Sequence, residues 1–447
     1  MGLGLRLRGS SRLLSRDPTD ALKQVGDWAQ EQCAGTIRAA RLGQREDGEP
    51  YLALSLHPAA EPVQMRYTPS AHLEVSAKTS TAGPGYHRYV CAAMHFLTEE
   101  FRVVWQRPDF TGEFGDETGY FRTSDWEDLQ QQMVDWLKAV ARLLTTETEE
   151  QFRLNMPVNV GFEFEGPILT PLGPRSRAWA ERIVVDPRKG IDVFPWWNAL
   201  QDASYHLNLA RCLMWTELRW RRPFDDEERK LMAEVNRRLH KAFDDDPSLD
   251  YPWREWQELL RYLDTDSPHL PTIVHNAEMA PDVPKAGYRR GKVVCHLPGG
   301  WSIKVPGSFA ENWDDEQAAW MAHDDERHIY ITTYTLSERN GHPRPAAELL
   351  ETAQDLNEDP GIGEELNWQN GPLLGKATLR WQEDDEEPHW LLSATSVVPG
   401  RLAVCTISFE KESDRDWAVD AWHSLNRQEP PPVETLSSLQ SPPEEQS

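Results

Sequence analysis

Apolar and polar positions alternate with a period of two in three short runs, residues 51–57, 63–67 and 72–78, with turn residues between them. Successive side chains of an extended strand point to opposite faces, so this alternation predicts three strands. The flanking segments switch to the helical period. Residues 20–33 fit a short amphipathic helix, and an apolar helix over 87–101 follows the glycine-rich loop Ser80-Thr81-Ala82-Gly83-Pro84-Gly85. A loop with Gly112, Gly115 and Gly119 precedes a helix in which Trp126, Leu129, Met133, Trp136, Leu137, Val140 and Leu144 recur at helical spacing. Ser124 with Glu127 three residues on predicts a capping box at its start. Residues 152–165 return to strand-like alternation, and 167–174 form a turn-rich break.

Residues 194–263 predict three helices: one from Pro195-Trp196-Trp197 to Pro223, one opened by Asp225 and Glu228, and one over 253–263. Their short connections suit a small bundle or an α-hairpin extension. Residues 264–284 hold four prolines and little periodicity, the signature of a linker. Strands are then predicted at 292–297, 301–305, 317–322 and 327–336, a helix at 346–356, strands at 374–382, 390–398 and 401–410, and a helix at 414–425. Strands grouped around two helices give an antiparallel sheet covered on one face. The expected fold is α+β and multi-domain: a basic leader at 1–19 outside the fold, a mixed α/β domain at 20–190, a helical segment at 191–264 packed on it, a linker at 265–290, an α+β domain at 291–427, and a disordered tail at 428–447 rich in Pro, Ser and Glu.

Composition changes the picture in one respect. At 447 residues the chain exceeds one core, and its 73 acids against 47 bases give a formal net charge of −26. That field repels phosphate backbones and anionic lipids, which disfavours nucleic-acid and membrane-surface partners. No eighteen consecutive apolar residues occur, so no membrane-spanning helix is expected. The five cysteines are far apart and odd in number, which argues against a disulfide framework or a zinc ribbon and for reduced thiols in the cytoplasm. The one basic stretch is the start, where Arg6, Arg8, Arg12 and Arg16 precede the first acid, Asp17. It has the look of a transit peptide, though a disordered leader or a misplaced start codon explains it equally.

The segment Leu297-Pro298-Gly299-Gly300-Trp301-Ser302-Ile303-Lys304-Val305-Pro306, with a closing strand at 403–409 and a final helix carrying Trp417 and Trp422, resembles the PsbP-like α/β sandwich over residues 291–427. That resemblance implies a binding or accessory module and carries no catalytic residues with it. No family is recognised for residues 1–290.

Candidate chemistry is sparse. Lys78, Thr79 and Ser80 with Gly83 and Gly85 open a helix, and free amides there suit an anion cradle. An ordinary glycine turn explains the same residues. Glu163 and Glu165, two apart in a strand-like run, project from one face, close enough to share acid and base roles with His87, Asp116 and Glu117. A solvated strand face is the plainer alternative. No spacing marks a metal site, a cofactor or an activated nucleophile. The nineteen tryptophans are the most distinctive feature, and Trp196, Trp197, Trp253 and Trp256 are the pairs weighed between core packing and a partner surface.

Two functions follow. The favoured one is a non-enzymatic binding or accessory protein of a multi-protein assembly, such as an acidic, immunity-like neutraliser of a basic protein partner. The other is a carboxylate-dependent enzyme, a metal-assisted hydrolase among them, with its site in residues 78–165.

Overall fold

The computed structural model describes residues 2–45, 47–108, 113–146, 152–154, 156, 160–164, 166–281, 285–337, 342–354, 363–383 and 388–427. The chain is α+β and divides into two compact units, Met1–Val158 with Glu165–Gly287, and Asn159–Phe164 with Tyr288–Ser447. The tail at 428–447 lies outside the described residues.

The first unit is organised around the stretch expected to be a leader. Residues Gly4–Ser10 form β1, which alternates buried Leu5 and Leu7 with Arg6 and Arg8. After α1 (Pro18–Gln32), the strands β2 (Ala39–Gln44), β3 (Pro50–Ser55), β4 (Val63–Tyr67) and β5 (His72–Lys78) follow. Then come α2 (Pro84–Phe101), β6 (Val104–Trp105) and β7 (Gly115–Asp116). The strand order is β2-β3-β4-β5-β1-β6, with β7 also on β1. β1 is antiparallel to β5 from Gly4↔Lys78 to Ser10↔His72. The expected leader is therefore corrected: Leu5 and Leu7 are only 2% and 6% exposed. The leucine–arginine alternation is a strand with one dry and one charged face. Asp17 caps α1 by accepting from the Asp20 N–H at 2.9 Å, and the helix buries Ala21, Leu22, Val25 and Trp28 beneath β3 and β4.

Beyond α3 (Tyr120–Thr123), the helix α4 (Trp126–Thr146) is capped one residue later than expected. Ser124 ends α3 in a left-handed conformation, φ 53°, while Asp125 accepts from the Asp128 N–H at 3.0 Å. Residues 152–165 are not one strand. β8 (Phe152–Arg153) pairs in parallel with β10 (Ile168–Leu169), whereas β9 (Val160–Phe162) belongs to the second unit. After α5 (Arg177–Val185), α6 (Ala203–Thr216) begins at its cap Asp202 and not at Pro195. α7 (Asp226–Asp245) is capped by Asp225, as its spacing predicts, and α8 is Trp253–Leu263. The expected linker contains a further helix, α9 (Leu270–Met279), with Ile273 buried and Pro271 in its first turn, where proline costs no hydrogen bond.

In the second unit, β11 (Lys292–His296) and β12 (Trp301–Pro306) pair with each other and with β9 and β20 (Asn426–Arg427), in the order β20-β12-β11-β9. The larger sheet comprises β13 (Ala310–Asp314), β14 (Ala319–His323), β15 (Arg327–Thr335), β16 (Glu364–Asn370), β17 (Leu373–Gln382), β18 (His389–Val398) and β19 (Arg401–Phe409). Its order is β13-β14-β15-β19-β18-β17-β16. The two strands that sequence alternation missed, β13 and β16, are the polar edges. The helices α10 (Ala346–Gln354) and α11 (Arg415–His423) hold opposite faces of this sheet, not one. Leu349 and Ala353 of α10 pack on Val397 and Leu402, while Trp422 of α11 donates to Ser396 Oγ at 3.0 Å, one residue along β18 and so on the other side.

Because β1 lies inside the sheet, Leu7→Ala should cost about 2–5 kcal/mol, the usual range for a buried leucine. Deleting residues 2–10 should abolish the cooperative thermal transition of this unit. A truncated chain that melts like the full one would show the strand to be dispensable.

Candidate functional site

The loop between β5 and α2 does not cradle an anion. Its amides are taken by the protein: Thr79 and Ser80 N–H donate to the Leu3 carbonyl at 2.9 and 3.1 Å, Ala82 and Gly83 N–H to Thr79, and Gly85 N–H to Trp196 at 3.0 Å. Trp196 returns its own N–H to Ala82 at 2.9 Å. A Cβ on Gly85 would stand 2.2 Å from the Trp196 ring, so glycine is required for this close approach. Lys78 faces outward and pairs with Glu61 at 3.3 Å. Gly83 has φ 111° and caps α2, while Thr79 and Ser80 are fully buried.

Those buried hydroxyls lead to a polar network. His87, on the first turn of α2, is fully buried. Its Nδ1 lies 2.7 Å from Thr79 Oγ1, and its Nε2 lies 3.3 Å from Asp116 of β7 and 3.0 Å from Thr118 Oγ1. The Asp116 carboxylate also accepts from Thr118 N–H and Oγ1, each at 2.9 Å, and from Phe121 N–H at 2.7 Å. Burial alone would raise the Asp116 carboxyl, but the His87 ring and the amides of Phe121 and Thr118 outweigh it and hold it below its ordinary value. Cys91, one helical turn after His87, is 1% exposed. Burial and the nearby Asp116 charge push its thiol well up.

Of the carboxylates expected to converge here, only Asp116 meets His87. Glu117 turns to β1 and accepts from Gly4 N–H at 2.7 Å. Glu163 belongs to the second unit and pairs with Lys304 at 2.9 Å. Glu165 lies outside the described residues. The tryptophans are likewise reassigned. Trp196 is packed among His57, Tyr86, Tyr89 and Tyr205, and Trp197 stacks on Phe194 at 5.5 Å. Trp256 is fully buried and stacks on half-buried Trp253 at 5.9 Å. Indoles of this area stabilise a core more than they would a solvated surface.

The feature that sequence reasoning missed lies on the open face of the first sheet. Strand pairing sets Arg6 opposite Ser76, Arg8 opposite Glu74, and Glu74 in turn opposite Arg66. Partners directly opposite in an antiparallel ladder share a face. Arg6, Arg45, Arg66, Tyr51 and Phe114 line a cavity of about 320 Å³. A neighbouring one of about 180 Å³ shares Arg6 and Phe114 and adds Arg8, Arg122 and Asp116. Glu74 is occupied by Arg66 at 2.7 Å and Arg8 at 3.5 Å, and the Arg8 guanidinium lies 5.5 Å from the Phe114 ring centre. Among the described residues, the Arg6 and Arg45 side chains have no hydrogen-bonding or ion-pair partner. Five arginines thus line these two cavities together with three carboxylates, Glu74, Glu113 and Asp116. The signal was present as strict alternation over Leu5-Arg6-Leu7-Arg8.

No family model and no curated protein matches the chain. Among solved structures it is similar to a Bacteroides thetaiotaomicron VPI-5482 protein determined at 1.50 Å resolution, with 12% identity and a TM-score of 0.26. The match covers 31% of this chain and 49% of that one, and it carries no argument about fold or function.

Two buried histidines set a pH dependence. Burial, reinforced by Arg38 and Arg238, pushes His57 down to about 3. Burial with Arg238 and Lys241 pushes His206 down to about 4. Unfolded, each titrates near about 6.5, so as pH falls below that value the unfolded chain takes up protons that the folded chain refuses. Stability should therefore drop between about pH 6.5 and 4, by up to about 1.4 kcal/mol per pH unit for each histidine. Urea midpoints across this range should flatten in His57→Gln and His206→Gln; unchanged slopes would contradict the assignment.

Proposed function

We propose that the chain is a binding protein and that the arginine-lined groove over β1, β5 and β4 receives an anionic group of a small ligand. The observation that supports this most is the pair of unpartnered guanidiniums, Arg6 and Arg45, in a cavity of about 320 Å³ on a chain of net charge −26. Two unpaired guanidiniums gathered in one concavity suit a carboxylate or phosphate ligand, which guanidinium binds bidentately. Tyr51 and Phe114 add a flat apolar wall, and the volume falls within the range of small-ligand sites, about 300–1,000 Å³. The acidic surface around the groove, on a chain of net charge −26, repels a long polyanion such as nucleic acid, which favours a compact ligand.

A second reading keeps a basic protein as partner. Its support is Trp313, 41% exposed at the polar edge strand β13 and followed by Asp314, Asp315 and Glu316. An exposed indole beside clustered carboxylates suits a cationic segment. The resemblance of residues 291–427 to PsbP-like modules points toward an accessory role as well.

Calorimetric titration of the full chain with pyrophosphate and with citrate at low salt tests the first reading. Binding is expected with one of these probes, weakening as salt rises and falling at least tenfold in Arg6→Ala/Arg45→Ala, whose melting temperature should stay within a few degrees of the parent. No heat with either anion, or affinity that survives the double substitution, would overturn it.

A further inference from the structure

We propose that His87, Cys91 and Asp116 form a site for one zinc-type divalent ion that ties α2 to β7. A ring nitrogen of His87, the Cys91 Sγ and an Asp116 carboxylate oxygen all lie within 4.8 Å of one another. His87 and Cys91 are four apart on α2, so both project from one helix face toward β7. The separation of Nε2 from the carboxylate, 3.3 Å, matches the edge of a tetrahedral site with bonds of about 2.0 Å. The sulfur has to close by up to about 1.3 Å to complete a third corner, given a Zn–S bond of about 2.3 Å. Thr118 Oγ1, 3.0 Å from Nε2, stands at the fourth position, which that hydroxyl or a water would fill.

Thr79 supplies the orienting contact that a metal-bound imidazole needs. The Thr79 hydroxyl donates to the Leu3 carbonyl at 3.3 Å and lies 2.7 Å from Nδ1, so its oxygen can accept a proton from Nδ1 and leave Nε2 for an ion. With the ion bound, a dication meets one thiolate and one carboxylate, and the cluster is neutral. Binding releases one proton, from the Cys91 thiol, to solvent. Thiolate and imidazole together select zinc or cobalt over magnesium or calcium. Asp116 also lines the smaller arginine-bordered cavity. This inference does not depend on the anion reading.

The test is titration of the reduced full-length chain with Co²⁺. The expected result is one ion per chain, an intense thiolate-to-cobalt charge-transfer band, release of one proton per ion, and loss of the band when Zn²⁺ is added. Binding should tighten as pH rises, since a thiol must ionise. Cys91→Ser and His87→Ala should lose the band, and Cys33→Ala should keep it. A band that survives Cys91→Ser would overturn the site. So would its absence in the folded parent at excess cobalt, a result that decides the matter even if the variants fail to fold.

Discussion

The pairing of β1 with β5 is the constraint on which the first unit depends. It fixes the backbone of Leu3 and Gly4 beside the end of β5, and from there the Leu3 carbonyl receives both Thr79 and Ser80 amides while Gly4 donates to Glu117. The same strand sets Leu5 and Leu7 into the core and Arg6 and Arg8 onto the open face. One seven-residue element therefore builds the buried network on one side and the charged groove on the other.

Behind that strand, the glycine loop and the Pro195–Trp197 segment act as a clasp. Gly85 is flush against the Trp196 indole, and two backbone hydrogen bonds exchange between the segments. This explains why the helix expected from Pro195 starts only at Ala203. The intervening residues run through bends with Trp196 bonded to the loop, and tertiary packing overrides the local helical preference. It also explains why the loop offers no anion site, although its composition suggests one. Its donors face inward.

Much of the architecture was legible in the sequence. Period-two runs marked β3, β4, β5 and the long strands β17 to β19, and Asp225 correctly announced α7, because in these places local pattern and tertiary environment agree. The failures have physical causes. Charge hid β1: four arginines outweighed an alternation that was plain over residues 5–8. Proline hid α9, although Pro271 sits in the first turn, where it is harmless. His87 and Asp116 were both flagged, yet their meeting is set by β7 pairing on β1, a long-range contact that spacing does not encode. Cys91 carried no motif at all. The groove's arginines come from β1, β4 and the residue after β2, which only the sheet brings together.

Among the described residues, no helix is long and apolar enough to cross a membrane, and the chain's strong negative charge makes one positive concavity conspicuous. The central claim is that this concavity exists to hold an anion. Crystals of the full chain soaked in tungstate test it most directly through anomalous scattering. The account predicts a peak bridging the Arg6, Arg45 and Arg66 guanidiniums. A groove left empty while tungstate occupies other cationic sites would contradict it.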